Sequence, residues 1–257
     1  MRKLNYENEI STIETFISQQ LKLAGFKNIV IGLSGGIDSA VTAALAVKTI
    51  GRENVFGVMM PYSTSIASSL EDAEYLAKKL GITYRIIEIT PMVDKYFQLY
   101  EPEAGIMRKA NRMARERMCV LYDLSAKLSA LVAGTSNRSE LLVGYCTQYG
   151  DSACAFEPIG HLYKSEVREV AKILSVPDKI IAKNPTADLW QGQTDETELG
   201  ISYELLDEIL YYLIDAGKSK NELFKMGYAE SDVKKVHHLY KKSEFKRKMP
   251  PCPKIIT

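Results

Sequence analysis

The hexapeptide Ser34-Gly35-Gly36-Ile37-Asp38-Ser39 constrains this chain more than any other stretch. It follows the apolar run Ile29-Val30-Ile31 and precedes an Ala-rich segment, residues 40–47, that reads as a buried helix. A strand, two adjacent glycines and a helix start make a place for an anion. The N–H groups of the first helical turn and the positive end of the helix dipole point into such a turn. Gly35 and Gly36 allow close backbone approach, and Ser34 and Ser39 add hydroxyl donors. Asp38 would repel a bare phosphate, but a Mg²⁺ ion bridging carboxylate and phosphate oxygens reconciles the two. The turn therefore predicts a metal–polyphosphate site.

Neither G-x-x-x-x-G-K-[ST] nor G-x-G-x-x-G fits these residues, and no lysine lies in the turn to reach outer phosphates. The pattern S-G-G-x-D-S resembles the pyrophosphate loop of the ATP pyrophosphatases, which release the two outer phosphates together while adenylating a substrate. The plainer alternative is a glycine-containing strand–helix turn with Ser39 or Asp38 as a helix cap.

Strand-like runs recur at even intervals after the first, at residues 55–60 and 84–89, with a helical segment near 70–80 between them. A fourth run, Leu131-Val132-Ala133, leads into Gly134-Thr135. This alternation predicts an α/β fold: an open, mostly parallel sheet with helices on both faces. Ahead of the first strand, residues 6–24 carry a helical rhythm that ends at Gly25. Further helices are expected at 103–128 and, as a C-terminal group, near 164–174, 203–215, 220–226 and 230–242. In the helix at 103–128 the apolar residues Met107, Ala110, Ala114, Met118, Leu121, Leu124 and Leu128 form one stripe, which suits a homodimer seam. Arg108, Arg112 and Arg115 form a second stripe, ordinarily a solvated face. Residues 184–200 are polar and irregular, a length that in a compact domain usually signals a functional lid or disorder.

A formal net charge of +1 supplies no global field for nucleic acid or an anionic membrane. No apolar run is long enough to span a bilayer and no signal-peptide pattern opens the chain, so the cytoplasm is expected. Cys119, Cys146, Cys154 and Cys252 lack C-x-x-C spacing and read as mostly buried thiols rather than a zinc site. His161 reads as structural.

The segment Gly134-Thr135-Ser136-Asn137-Arg138-Ser139-Glu140 is a second strand end followed by cap-forming residues. In an open parallel sheet two such loops can face one ligand where the strand order reverses. Thr135 is then placed for the adenosine portion and Glu140 for a second carboxylate on the metal of Asp38. Glu140 taken alone reads better as a first-turn acid favoured by the helix dipole. Lys164 opens a helix, where the dipole disfavours it, and pyrophosphate would compensate its charge.

Seven segments in order resemble one family: S-G-G-I-D-S, A-R-E-R-M at 114–118, G-T-S-N-R-S-E, G-Y-C-T-Q-Y-G-D at 144–151, L-Y-K at 162–164, P-T-A-D-L at 185–189 and D-E-T-E-L-G-I-S-Y at 195–203. The family is the ammonia-dependent NAD synthetases, and the likeness covers nearly the whole chain. It implies an adenine nucleotide α-hydrolase-like fold in a single domain, residues 1–257. No glutamine amidotransferase domain is expected, since the 28 residues before the first strand are too few for one. The implied reaction adenylates the nicotinate carboxylate of deamido-NAD with ATP; ammonia then displaces AMP, giving NAD.

By resemblance, Gly32, Leu33, Ser34, Gly35, Gly36, Ile37, Asp38 and Ser39 bind ATP, joined by Thr135, Lys164 and Thr186. Asp38 and Glu140 ligate Mg²⁺, and Asp38, Lys164 and Glu140 carry the catalysis. Arg115, Tyr145, Asp151 and Lys246 contact deamido-NAD, some of them across a homodimer interface, and residues 182–203 close over ATP. Cations at a helix C-terminus are the alternative reading for Lys246. Gln148, Ala155 and Phe245 depart from the lysine, aspartate and histidine common in this family, which touches dinucleotide recognition. Competing readings are another adenylating or tRNA-thiolating enzyme with the same first loop, and an adenine-nucleotide sensor without chemistry.

Overall fold

A computed structural model describes residues 2–190 and 192–253. The chain opens with α1 (Tyr6–Ala24), whose Asn5 side chain accepts from the Asn8 N–H and whose end is turned by Gly25 in the left-handed region at φ 75°. Then come β1 (Asn28–Gly32), α2 (Ile37–Ile50), β2 (Val55–Met59), α3 (Ala67–Leu80) and β3 (Thr83–Ile86). Two helices follow, α4 (Thr90–Tyr100) and α5 (Ile106–Leu128), before β4 (Ala130–Val132) and α6 (Arg138–Val143). The C-terminal part holds α7 (Lys164–Ile173), α8 (Asp178–Ile181), α9 (Asp195–Leu199), α10 (Tyr203–Leu210), α11 (Lys220–Lys225) and α12 (Glu230–Lys242).

The four strands are parallel, in the order β3-β2-β1-β4, with Ile29 level with Val55 on one side and Leu131 on the other. The chain builds outward from β1 to β3 and then crosses back, so the order reverses between β1 and β4. Both faces are covered, as expected. Ile29 and Ile31 pack with α1, α2 and α7, whereas Val30 on the opposite face meets Val93 and Phe97 of α4 and Met113 and Leu124 of α5. Alternation along one strand thus feeds two cores. The Ala-rich α2 is buried on nearly all sides, because small side chains let it lie close to the sheet, α1 and α7 together. A third apolar cluster joins α6, Tyr163 and α10–α12, so the C-terminal helices dock on α6 and α7 rather than on the sheet.

Four expectations need correction. The third strand ends at Ile86, and Thr90-Pro91 starts α4 instead of continuing extended structure; proline fits the first helical turn, where its missing N–H costs nothing. Residues 184–200 are not wholly irregular, since Thr194 caps α9 and Gly200 closes it in the left-handed region. The thiols are not mostly buried: Cys119 and Cys252 are exposed, and Cys146 and Cys154 half-buried. Finally, the apolar stripe of α5 turns inward, with Ala110, Ala114 and Leu124 buried and Met118 and Leu121 partly so. Those members serve the chain's own core and cavity, while Met107 of the same stripe is exposed. Among the described residues no helix is long and apolar enough to cross a membrane.

Candidate active site

The turn after β1 is held by its own side chains. Ser34 and Ser39 hydroxyls lie 3.1 Å apart, Gly36 N–H donates to Ser34 Oγ at 3.2 Å, and Ser39 Oγ donates to the Gly36 carbonyl at 3.1 Å. Gly35 sits at φ 76°, and a Cβ there would run into the Ser69 carbonyl at the start of α3. Gly36 is the N-cap of α2 and supplies no side chain, so the first-turn N–H groups of a 14-residue helix keep no capping partner.

The loop after β4 is set by Asn137, which is fully buried. Its Oδ1 accepts from Glu140 N–H at 3.1 Å, and its own N–H donates to Glu140 Oε2 at 3.3 Å, a reciprocal cap on α6. Its Nδ2 donates to Asp38 Oδ1 at 2.9 Å, tying the two strand-end loops together. The other Asp38 oxygen pairs with Lys164 Nζ, which also lies 3.3 Å from Glu140 Oε1. Lys164 is 2% exposed and is the first residue of α7. Its backbone N–H donates to Ser139 Oγ at 3.0 Å, and buried Asp207 of α10 accepts from Ser139 Oγ and, at 2.9 Å, from Ser165 N–H. One carboxylate thereby aligns the helices that carry Glu140 and Lys164.

Burial pushes the Glu140 carboxyl well above the usual carboxylate range; Lys164 opposes this, and the charges of Asp38 and Asp195 add to it. Burial would lower the Lys164 ammonium, but Asp38 and Glu140 outweigh it and keep it charged. Lys164 is therefore compensated by carboxylates, despite its unfavourable place on the helix dipole. Three carboxyl groups share one ammonium, and a hard cation would let more of them ionise. Glu140 carries one of them and Asp195 of α9 the third.

These groups border a cavity of about 600 Å³ between the ends of β1 and β4, floored by α5 and covered by residues 183–190 and α9. Gly32, Leu33, Ser34, Gly36, Ile37, Asp38, Ser39, Thr135, Glu140, Lys164 and Thr186 line it; Gly35 stays behind its neighbours as buried backbone. Tyr145, Asp151 and Lys246 also line it. Lys246 Nζ donates to the carbonyls of Gly144 and Cys146 at 2.7 and 2.6 Å. Arg115 does not reach the cavity: it is exposed and donates to the Gln148 carbonyl at 3.3 Å. His161 lies outside the cavity lining, its ring 3.3 Å from Glu9.

Sequence reasoning missed Arg117, which does line the cavity and donates through Nε to the Met60 carbonyl at 3.1 Å. A signal existed: position 117 lies three after Ala114 and seven after Ala110, on the inward stripe, whereas 115 does not. Lys183, Asp188 and Asp195 on the covering segment were also missed. Asp188 accepts from Ile66 N–H at 3.1 Å, joining that segment to the loop before α3.

Glu157 braces the β4 loop from behind, accepting from Ser136 N–H at 3.1 Å, while its other oxygen is buried without a partner. Burial raises its carboxyl to about 7. A carboxyl raised in the folded state contributes stability that is full below its unfolded value and is lost as pH rises through about 7. Glu157→Gln keeps an acceptor for Ser136 and removes the ionisation. It should match the parent in urea unfolding at pH 5 and exceed it at pH 8 by about 1–3 kcal/mol. Equal stability at both pH values would assign Glu157 no such role.

Known proteins resemble this chain over almost its full length. A model of the NAD synthase family matches residues 9–250. An NH(3)-dependent NAD(+) synthetase of Pelodictyon phaeoclathratiforme is 46% identical over 252 residues, covering 98% of this chain and 91% of that one. The solved structure of NMN synthetase from Francisella tularensis superimposes with a TM-score of 0.88 at 32% identity, covering 98% of this chain and 100% of that one. An NH3-dependent NAD synthetase from Campylobacter jejuni, in complex with the nitrate ion, gives a TM-score of 0.84 at 36% identity over the same shares.

Proposed function

Because this chain belongs to the NAD synthase family, we propose a division of labour among its residues in ATP-dependent, ammonia-dependent NAD synthesis. The enzyme is a ligase, and its substrates are ATP, deamido-NAD and ammonia. A nicotinate carboxylate cannot be amidated directly, since its leaving group would be oxide. An oxygen of that carboxylate attacks the α-phosphorus of ATP, the bond to the β-phosphate breaks, and pyrophosphate leaves. Ammonia nitrogen then attacks the acyl carbon, AMP departs, and a proton is released as the amide forms.

In this reading the turn at residues 34–39 takes the outer phosphates on its free N–H groups, with Thr135 and Thr186 on the rest of ATP. Lys164 stands where negative charge grows as pyrophosphate departs, and a fixed, buried cation is worth far more there than in water. Tyr145, Asp151 and Lys246 hold the dinucleotide, while Arg115 is left for contacts outside this cavity. Residues 183–190 and α9 exclude water from the reactive mixed anhydride. The one observation that carries the proposal is the meeting of Asp38, Lys164 and Glu140 across the strand-order reversal, at the rim of a nucleotide-sized cavity.

The residues present fit Mg²⁺: two hard carboxylates converge, no cage of three or more ligands exists among the described residues, and phosphate oxygens complete such sites. Asp38 and Glu140 would hold it, and when bound it would neutralise phosphate charge. A homodimer, which the family likeness supports, has exposed apolar surface available at Leu99, Tyr100, Ile106 and Met107. A cytoplasmic setting accords with an ATP-consuming biosynthetic reaction.

The likeness to an NMN synthetase favours one second reading, in which nicotinate mononucleotide is the acid substrate. Purified protein supplied with ATP, Mg²⁺ and ammonium separates the two. Deamido-NAD is expected to give NAD, AMP and pyrophosphate in equal amounts, with kcat/KM above that for nicotinate mononucleotide. A reversed preference would assign the mononucleotide. ATP binding with no AMP from either acid would leave a nucleotide sensor.

A further inference from the structure

Tyr203 is the first residue of α10 and is 1% exposed. The Lys164 ammonium lies 5.1 Å from the centre of its ring. Its hydroxyl stands 3.2 Å from Asp195 Oδ2 and 3.5 Å from Glu140 Oε1. A phenol carries one proton and can donate to only one of these carboxylates at a time. The distances rank Asp195 as the partner in hand and Glu140 as the competitor.

From Asp195 the bonding continues outward. Its other oxygen lies 3.1 Å from the Tyr145 hydroxyl, whose single proton it shares with the nearer Glu198. Gln193 donates to Glu198 at 2.8 Å and accepts from Leu189 N–H at 2.8 Å. The Asp195 N–H donates to the Pro185 carbonyl at 3.1 Å, closing the base of the covering segment. A path thus runs from the Asp38–Lys164–Glu140 cluster through Tyr203 to Asp195, and from the Asp195 N–H to the chain that roofs the cavity.

We propose that Tyr203 is a positioning residue that couples nucleotide loading at Asp38 and Glu140 to closure of the covering segment. Empty, Glu140 and Asp195 compete for one hydroxyl proton. Once a cation-bound triphosphate engages Glu140, the Tyr203 hydroxyl serves Asp195 alone, and the roof is held at its base by the Asp195 N–H on the Pro185 carbonyl. Closure then follows arrival of the reactant whose adenylate must be kept from water. The coupling rests on the assignment of ATP to this cavity.

The test needs no turnover. ATP with Mg²⁺ and no acid substrate, at concentrations that calorimetry shows to be saturating, should slow chymotryptic cleavage after Leu189 and Trp190 in the parent. Tyr203→Phe removes one oxygen and keeps the ring. It should bind ATP and yet show about tenfold less protection, the scale of one lost hydrogen bond to a charged group. Full protection in Tyr203→Phe overturns the proposal. So does a difference between the two proteins that is already complete without ligand, since that marks a merely structural role. If Tyr203→Phe folds poorly, Asp195→Asn is read in its place and must lose protection to the same degree; retained protection overturns the coupling. Where both fold, the double variant should lose no more than either single one, whereas additive losses put the residues on separate routes and overturn it. A parent that binds no ATP at this site fails at the earlier step and removes the assignment together with the coupling.

Discussion

Lys164→Met should lower NAD formation by about 10²–10³-fold while leaving a protein that still folds in the presence of Mg²⁺ and ATP. Methionine matches the length and shape of the lysine stem, so packing against Tyr203 is retained and only the charge is lost. Two consequences follow from its position. In the unliganded protein, Asp38 and Glu140 are left facing one another at a buried site, and breaking such a pair from one side costs about 3–5 kcal/mol. A divalent cation can replace the missing charge, so the loss of stability should shrink when Mg²⁺ is added. The loss of rate should not shrink with it, because an ion held by Asp38 and Glu140 would not occupy the place of the ammonium. Denaturant melts with and without Mg²⁺, read beside kcat, distinguish the two effects. Activity within tenfold of the parent would take Lys164 out of the chemistry.

Gly35→Ala should weaken ATP binding by more than tenfold. Two costs combine at this position. The left-handed backbone at φ 76° disfavours any side chain by about 1–2 kcal/mol. The added Cβ also meets the carbonyl of Ser69, and backbone cannot rotate away as a side chain can. Relief requires the turn to part from α3, which moves the N–H groups proposed to take the phosphates. Gly25→Ala is the built-in control. It shares the left-handed backbone at φ 75°, but nothing lies within 4 Å of the new methyl group. It should cost about 1 kcal/mol of stability and leave ATP affinity unchanged. Calorimetric titration of both variants reads this directly, and equal affinities for Gly35→Ala and Gly25→Ala would refute the steric argument.

These two positions are legible in the chain for different reasons. Gly35 announces itself because adjacent glycines between an apolar run and an Ala-rich helix mark backbone that must be approached closely. Lys164 stands out only as a cation at the wrong end of a helix. Its partner Glu140 taken alone reads better as an ordinary first-turn acid, and in the structure it both completes the cap with Asn137 and faces Lys164. Asn137 itself, which joins the two loops, is hidden by its ordinariness, since an asparagine before a helix is accounted for by capping alone. Arg115 and Arg117 illustrate a different loss. The apolar stripe on α5 is plain in the sequence, but its inward direction is not. Without that direction the arginine sharing its face gives way to one that does not.

The helix at 90–100 and the short one at 195–199 escape for local reasons. A proline at a first turn and a threonine cap are weak signals beside an apolar strand pattern or a polar, glycine-containing stretch. Tyr203 could not have been found at all. Its importance lies in which two carboxylates flank one hydroxyl, and these come from residues 8 and 63 positions away.

Local chemistry settled what needs only neighbours along the chain: the strand–turn–helix units, the parallel sheet, the anion-seeking turn and the residue types that suit a metal-bound triphosphate. The folded arrangement decided which charges meet. Order reversal between β1 and β4 brings Asp38 and Glu140 to one crevice, and α7 delivers Lys164 between them from 126 residues beyond Asp38. Backbone preferences act over a few residues, whereas a buried ion cluster exists only when distant segments exclude water together, and no linear pattern encodes that exclusion.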